Sequence, residues 1–389
     1  MLEFENSGEG VSSSSRLKAL QKMFTMDKKE ALFVALTTIL YIAFVLSGIT
    51  QFIIIIGFIL GSWYISRPSE WLYNGVNNLR IHMGLKEYLM GVLSAFAAIG
   101  AEIFIVTLSV YHAITGGLYE LIEIAVLSTL FTMSFNILIL GILAVKVEGI
   151  PVALTEDELI REMGIINWSM MASFLLVFMV ITRVVFSDGL VANGNVFIPP
   201  MGAAMLPVSY MIYIYALGRK TKREKAMKAG TPTLTLKQAI IVTIGGVIGA
   251  LAGSEMIITS SKLLLTINRE AISVIGNPII IISLIIGLAG AIHDLILNIF
   301  FTIKKQLSAT VGNLIGTTIQ MLLLLLGIVG IFVPIPLTDY ITFELIVISF
   351  SLWFIRISIS DRKIDDYDGA LLITLQLLSF VLVLQGIFF

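Results

Sequence analysis

The chain has 389 residues, 57% of them apolar and only 13% charged, with a net charge of −1. A soluble domain carries about 25% charged residues, so a water-soluble globule of this size is excluded, and the charge balance gives no reason to expect a nucleic-acid partner. The absence of cysteine excludes a disulfide framework and a thiolate metal site, and three scattered histidines (His82, His112, His293) announce no imidazole cluster.

Residues 1–30 read as a polar cytoplasmic tail carrying Arg16, Lys18, Lys22, Lys28 and Lys29, too polar for a cleavable signal peptide. An extra transmembrane helix is expected over 31–48. A first group of five helices follows over 49–218, near 49–79, 88–111, 121–145, 165–186 and 196–217, with a break at Pro68. Residues 219–237 form a basic cytoplasmic linker with seven Lys or Arg. A second group of five occupies 238–389, near 238–266, 273–303, 308–333, 341–358 and 368–388. Each run is long enough to cross a hydrocarbon core of roughly 30 Å.

The placement of basic residues orients these spans. With the tail inside, the inner loops hold Arg80, Lys86, Lys146, Arg161, Lys304, Lys305, Arg362 and Lys363, while only Lys262 and Arg269 fall outside. Positive charge marks the cytoplasmic side. The chain therefore reads as a multi-pass cell-membrane protein with its C-terminus outside.

The two groups of five repeat one another. Ser69-Glu70 matches Ser254-Glu255, and each is followed by an acid within an apolar run, Glu102 and Asp294. Each group then meets a proline segment (Pro151; Pro334 and Pro336) and ends on a helix containing Gly-Ala, at 202–203 and 369–370. Five is odd, so the halves insert with opposite orientation. The expected fold is an all-α membrane protein with an inverted-topology 5+5 helix repeat plus one extra N-terminal transmembrane helix. Such repeats are a transporter signature, with the site near midplane at their interface.

A carboxylate deep in a spanning helix costs roughly 2.5–3.5 kcal/mol on insertion scales. Glu102 and Asp294 hold equivalent positions in the halves, and two like charges facing one cavity require a cation or a proton between them. Hard divalent cations want six to eight oxygens. Ser128, Thr132 and Asn136 recur every four residues on one helix face, as do Asn313 and Thr317, with Gln320 on a neighbouring line. Gly312 and Gly316 are spaced for close helix approach. Gly100 and Gly290 are placed to unwind the helix near each acid and free carbonyls. Glu70, Glu255, His293 and Gln320 are candidates for an ion pathway or proton relay, although Arg67, one turn before Glu70, can instead neutralise it.

These residues resemble the cation/calcium exchanger superfamily, which includes the sodium/calcium exchangers. Gly312-Asn313-Leu314-Ile315-Gly316-Thr317 is similar to the family's Gly-Asn-x-x-Gly-Ser core, and Asn313 follows Asp294 by 19 residues as that pattern requires. Asp368-Gly369-Ala370-Leu371-Leu372 resembles the closing helix, and Ser134 to Leu138 the end of the first signature helix. The resemblance spans about 49–389. The family's Gly-Thr-Ser-x-Pro-Glu reads Ala97-Ala98-Ile99-Gly100-Ala101-Glu102 in one half and Ala289-Gly290-Ala291-Ile292-His293-Asp294 in the other, so the hydroxyls and proline are lost and the acids kept.

The resemblance implies a secondary antiporter rather than an enzyme. It would exchange Ca²⁺ or a similar cation for H⁺ or Na⁺, with Glu102 and Asp294 as metal ligands, no cofactor, and the lipid bilayer and small cations as its partners. The missing hydroxyls favour H⁺ as counter-ion. A non-transporting relative serving as membrane scaffold or cation sensor is the rival reading. The sequence carries no signal for an oligomeric state.

Overall fold

The computed structural model describes residues 28–82, 99–151, 156–186, 196–221, 233–267, 276–303 and 307–386. The tail before Lys28, the start of the helix expected from 88 and the middle of the basic linker lie outside them. In chain order the elements are α1 (Lys28–Ser47), α2 (Thr50–His82), α3 (Gly100–Gly116), α4 (Glu120–Lys146), β1 (Ile150–Pro151), α5 (Glu156–Phe186), β2 (Val196–Ile198) and α6 (Pro200–Thr221). The second part comprises α7 (Leu236–Ile267), α8 (Pro278–Ile303), α9 (Leu307–Gln320), a π-helical turn (Met321–Leu325), α10 (Leu326–Phe332), β3 (Ile335–Leu337), α11 (Asp339–Ser360), β4 (Lys363–Ile364) and α12 (Asp366–Gln385). Eight helices among the described residues are long and apolar enough to cross a membrane. In lipid every backbone polar group must be satisfied within the segment, so apolar runs of this length become helices.

Local chemistry sets the helix ends. Asn277 accepts from the Ile279 amide at 3.0 Å and Pro278 opens α8, a cap followed by a proline whose missing N–H costs nothing there. Thr235 and Gln238 bond each other's backbone amides at the start of α7, and Asp365 and Asp368 do the same for α12. α5 begins nine residues before its expected start because its first turns are polar and acidic, favourable at a helix N-terminus but read as loop by hydropathy. α2 continues through Pro68 without the expected break. The proline packs on α7, where a Cβ on Gly249 would lie 2.4 Å from Pro68 Cγ.

Four short strands, absent from the sequence expectation, join the halves. β1 pairs antiparallel with β4 (Ile150↔Ile364), and β2 with β3 (Phe197↔Pro336). Each sheet joins a strand that follows α4 or the α9–α10 segment to one that follows α5 or α11. Helix packing has the same reciprocity: α2 lies on α7, α5 on α11, α4 on α12 and α6 on α10.

α4 is the core of the bundle. It packs on α3, α8, α9, α11 and α12, and most of its side chains are buried. Its closest approach to α12 is at Gly141, where a Cβ would sit 2.8 Å from the Gly369 carbonyl oxygen. The reverse substitution, at Gly369, would meet the Gly141 carbonyl at 2.7 Å. Two glycines facing each other allow the backbones to touch.

Candidate cation site

Glu102 projects from the first turn of α3 and Asp294 from the middle of α8, and α4 packs against both helices. Glu102 is 6% exposed, Asp294 2% and Asn136 fully buried. The Glu102 carboxylate lies against α8 one turn before Asp294. Asn136 Nδ2 of α4 donates to Asp294 Oδ2 at 2.9 Å. Gly290, one turn before Asp294, backs the Glu102 carboxylate: a Cβ there would lie 3.2 Å from Glu102 Oε1 and 3.1 Å from Thr132 Oγ1. A small cavity of about 10 Å³ is lined by Glu102, Ser128, Thr129, Thr132 and Gly290 with three apolar neighbours. That is room for about one water.

Two buried oxygens at this site, Glu102 Oε2 and Asn136 Oδ1, have no hydrogen-bond partner in the described structure. Buried polar atoms are normally paired, so these two oxygens are candidate ligand contacts. No third His, Cys, Asp or Glu joins the acids in a metal-binding group among the described residues. The other oxygens described near the acids are those of amides, hydroxyls and backbone carbonyls.

The hydroxyls are engaged by backbone carbonyls, that of Ser128 within α4 and that of Thr132 within α4 and across to α8. Ser128 Oγ donates to the Ala125 carbonyl at 2.9 Å, and Thr132 Oγ1 to the carbonyls of Ser128 (2.9 Å) and Gly287 (3.1 Å). Their lone pairs stay available to an ion. Asn298, which sequence reading missed, donates to the Asp294 carbonyl at 2.6 Å and accepts from Asn313 Nδ2 at 3.5 Å. It links Asn313 to the acid indirectly, and Thr317 bonds only the Asn313 carbonyl. Asn298 lies one turn after Asp294, a spacing visible in the sequence.

Other expected roles need correction. Gly290 lies inside the continuous helix α8 and unwinds nothing; its role is to make room for Glu102. Gly100 is the first residue of α3, and a Cβ there would meet Leu72 at 2.9 Å. Gly312 and Gly316 make no close helix contact, since no described atom lies within 4 Å of a Cβ built on either. The four-residue spacing puts them on one face, and no described residue packs closely on it. Gln320 is half-buried and immediately precedes the π turn, a distortion often found at functional sites. The side chain of His293 lies outside the described ones.

Glu70 and Glu255 are each engaged by a basic side chain. Glu70 pairs with Arg67, which also bonds Glu30 of α1 at 3.1 Å, so the neutralising alternative holds and the pair anchors the leading helix. Glu255 is paired at 3.1 Å with His112 Nε2, and Lys262 Nζ approaches the other ring nitrogen at 3.2 Å. His112 was not singled out by the sequence.

No family model matches the chain, and no curated protein matches it. Solved structures do. The fold superimposes on a crystal structure of the H⁺/Ca²⁺ exchanger CAX with a TM-score of 0.66 and 16% identity, covering 93% of this chain and 94% of that one. It also matches the sodium–calcium exchanger NCX_Mj soaked with Na⁺ and Sr²⁺, with a TM-score of 0.57 and 17% identity, over 84% of this chain and 99% of that one. The chain is thus a helical membrane protein with the fold of cation/calcium exchangers.

Proposed function

We propose that this protein is a secondary antiporter that exchanges Ca²⁺ or a similar divalent cation for H⁺ or Na⁺ by alternating access between two inverted five-helix halves. The observation that carries the reading is the joining of Glu102 and Asp294, acids from different halves, in one buried site with partnerless oxygens beside a cavity. A hard divalent cation supplies the charge that two carboxylates need and the coordination that Glu102 Oε2 and Asn136 Oδ1 lack. With the cation gone, protons neutralise the same acids, and that competition is sufficient for exchange. The fold of proteins that exchange Ca²⁺ for H⁺ or Na⁺ supports the class. The reciprocal pairing of strands and helices across the halves supports the inverted repeat. The loss of Thr-Ser hydroxyls next to both acids favours H⁺ as the counter-ion. The distribution of basic residues favours a cytoplasmic N-terminus and linker, with the C-terminus outside.

The direct test is ion flux in proteoliposomes. Glu102→Gln and Asp294→Asn are each expected to abolish Ca²⁺ uptake driven by a proton or sodium gradient. Wild-type flux in either variant overturns the assignment, and Ca²⁺ binding without gradient-dependent flux overturns the antiport.

A further inference from the structure

A third acid is sealed inside the bundle, and the site above does not use it. Glu344 lies in the second turn of α11 and is fully buried. Both of its carboxyl oxygens are held by serines from other helices. Ser379 Oγ of α12 lies 2.6 Å from Oε1, and Ser134 Oγ of α4 lies 3.0 Å from Oε2. Two turns along α11, Ser351 accepts from Gln376 Nε2 of α12 at 2.7 Å, and the buried Gln376 Oε1 has no described hydrogen-bond partner. A polar seam therefore runs between α11 and α12, closed by α4.

No base reaches this acid: among the described residues Glu344 takes part in no ion pair. Of the ionisable groups on the surrounding elements, Tyr340 and Asp339 stand about one turn before Glu344 on α11, and neither can carry a positive charge; the others sit further along their helices. On α4, Glu120, Glu123 and Lys146 are all more than ten residues from Ser134. On α12, Asp366, Tyr367 and Asp368 occupy the end opposite Ser379. α5 meets α11 where Ser173 bonds the Leu345 carbonyl, with Glu162 and Arg183 at least ten residues away. α11 itself carries Asp339 and Tyr340 at its start and Arg356 three turns further on; β3 carries none, and Lys363 of β4 lies beyond the far end of α11. A buried carboxyl without a counter-charge must be neutralised by a proton or a cation. Both serine hydroxyls donate to the carboxyl oxygens at hydrogen-bond distances, 2.6 and 3.0 Å, which is not a metal-ion shell, and neither hydroxyl supplies the charge that neutralises the acid.

We propose that Glu344 is a second proton-binding site, which holds a proton against the two serines while α4, α11 and α12 are closed and releases it to water when they part. Ser134 lies between Thr132 and Asn136 on α4. Any shift of α4 that follows cation binding at Asn136 and Asp294 therefore moves one of the two groups that hold Glu344. This coupling rests on the antiporter reading, but the proton site does not.

The test is infrared difference spectroscopy of the full-length protein in lipid nanodiscs, between acidic and alkaline buffer. A titrating carboxylic-acid carbonyl band is expected in the wild type and in the Glu102→Gln/Asp294→Asn double variant. The band is expected to be absent from Glu344→Gln and shifted in frequency in Ser379→Ala. A Glu344→Gln spectrum identical to wild type overturns the proposal, because the acid is then permanently charged or a permanently neutral strut. If Glu344→Gln does not fold, Ser379→Ala retains the acid and carries the test, and an unshifted band overturns the proposal. The band requires no ion flux, so failed transport with the band present defeats the antiporter reading alone.

Discussion

Two faces of one helix present the same chemistry with opposite outcomes. On one side of α4, Ser128, Thr132 and Asn136 face α3 and α8, where Glu102 lies beside a cavity and against α8 one turn from Asp294, and two buried oxygens lack described partners. On the other side, Ser134 faces α11 and α12, where both oxygens of Glu344 are bonded by hydroxyls. Burial and helix type are alike; what differs is completion of the hydrogen bonding. On the antiporter reading, the carboxylate left partly unserved takes an ion, and the one whose two oxygens are both served holds a proton until the helices part. In the low dielectric of a bundle, each unserved buried oxygen carries a real cost, which that reading assigns to ion entry.

The largest effect is expected from closing the open side. Gly290→Leu drives a branched side chain into the space between Thr132 and Glu102, where even a Cβ makes contacts of 3.1 and 3.2 Å. Cation uptake should be lost while the protein still folds, read by flux in proteoliposomes and by a thermal melt. Preserved uptake would mean that the ion does not pass beside Glu102. A smaller effect is expected from Asn136→Ala, which removes the 2.9 Å bond to Asp294 and a buried oxygen at the site. A hydrogen bond to a charged group contributes about 1.5–3 kcal/mol, so divalent affinity measured by calorimetry should fall by roughly one to two orders of magnitude. Unchanged affinity would remove α4 from the ion's coordination.

On the closed side the same kind of deletion should act on stability instead. Ser134→Ala leaves Glu344 Oε2 without its donor, and a stranded buried acceptor costs about 1–3 kcal/mol. A lower melting temperature with near-normal cation affinity is expected. The reverse result, normal stability with weakened affinity, would erase the distinction between the two faces.

The helices were legible because lipid leaves a long apolar segment no alternative, and hydropathy reads that requirement directly. The two acids of the site were legible for the same reason, as charges inside apolar runs. What escaped depends on contacts between distant segments. β1 to β4 are two or three residues long and exist only because loops far apart in the sequence meet, 150–151 with 363–364 and 196–198 with 335–337. Glu344 lies close to the start of its helix, where an acid normally reaches water; its burial comes from Ser134, 210 residues away, and from Ser379. Gly312 and Gly316 show the converse error, a packing motif by spacing on a face that packs against nothing described. Periodicity says which residues share a face, not what that face meets.

The smallest effect provides the matched control. Ser128 and Ser134 are six residues apart on α4, both buried, both with hydroxyls engaged. Ser128 donates only to the Ala125 carbonyl, which Thr129 Oγ1 also contacts at 2.9 Å, so Ser128→Ala strands no acceptor. Its stability cost should stay within about 0.5 kcal/mol, the range of substitutions that break no buried network. As one oxygen among the six to eight of a hard-cation shell, its loss should weaken divalent binding by less than about tenfold, roughly 1.4 kcal/mol. Thermal melts and calorimetry on the two serine variants side by side provide the comparison. A Ser128→Ala protein as unstable as Ser134→Ala would show that the cavity side is also held shut by its hydroxyls, and the contrast between the faces of α4 would no longer separate a site that takes an ion from one that keeps it out.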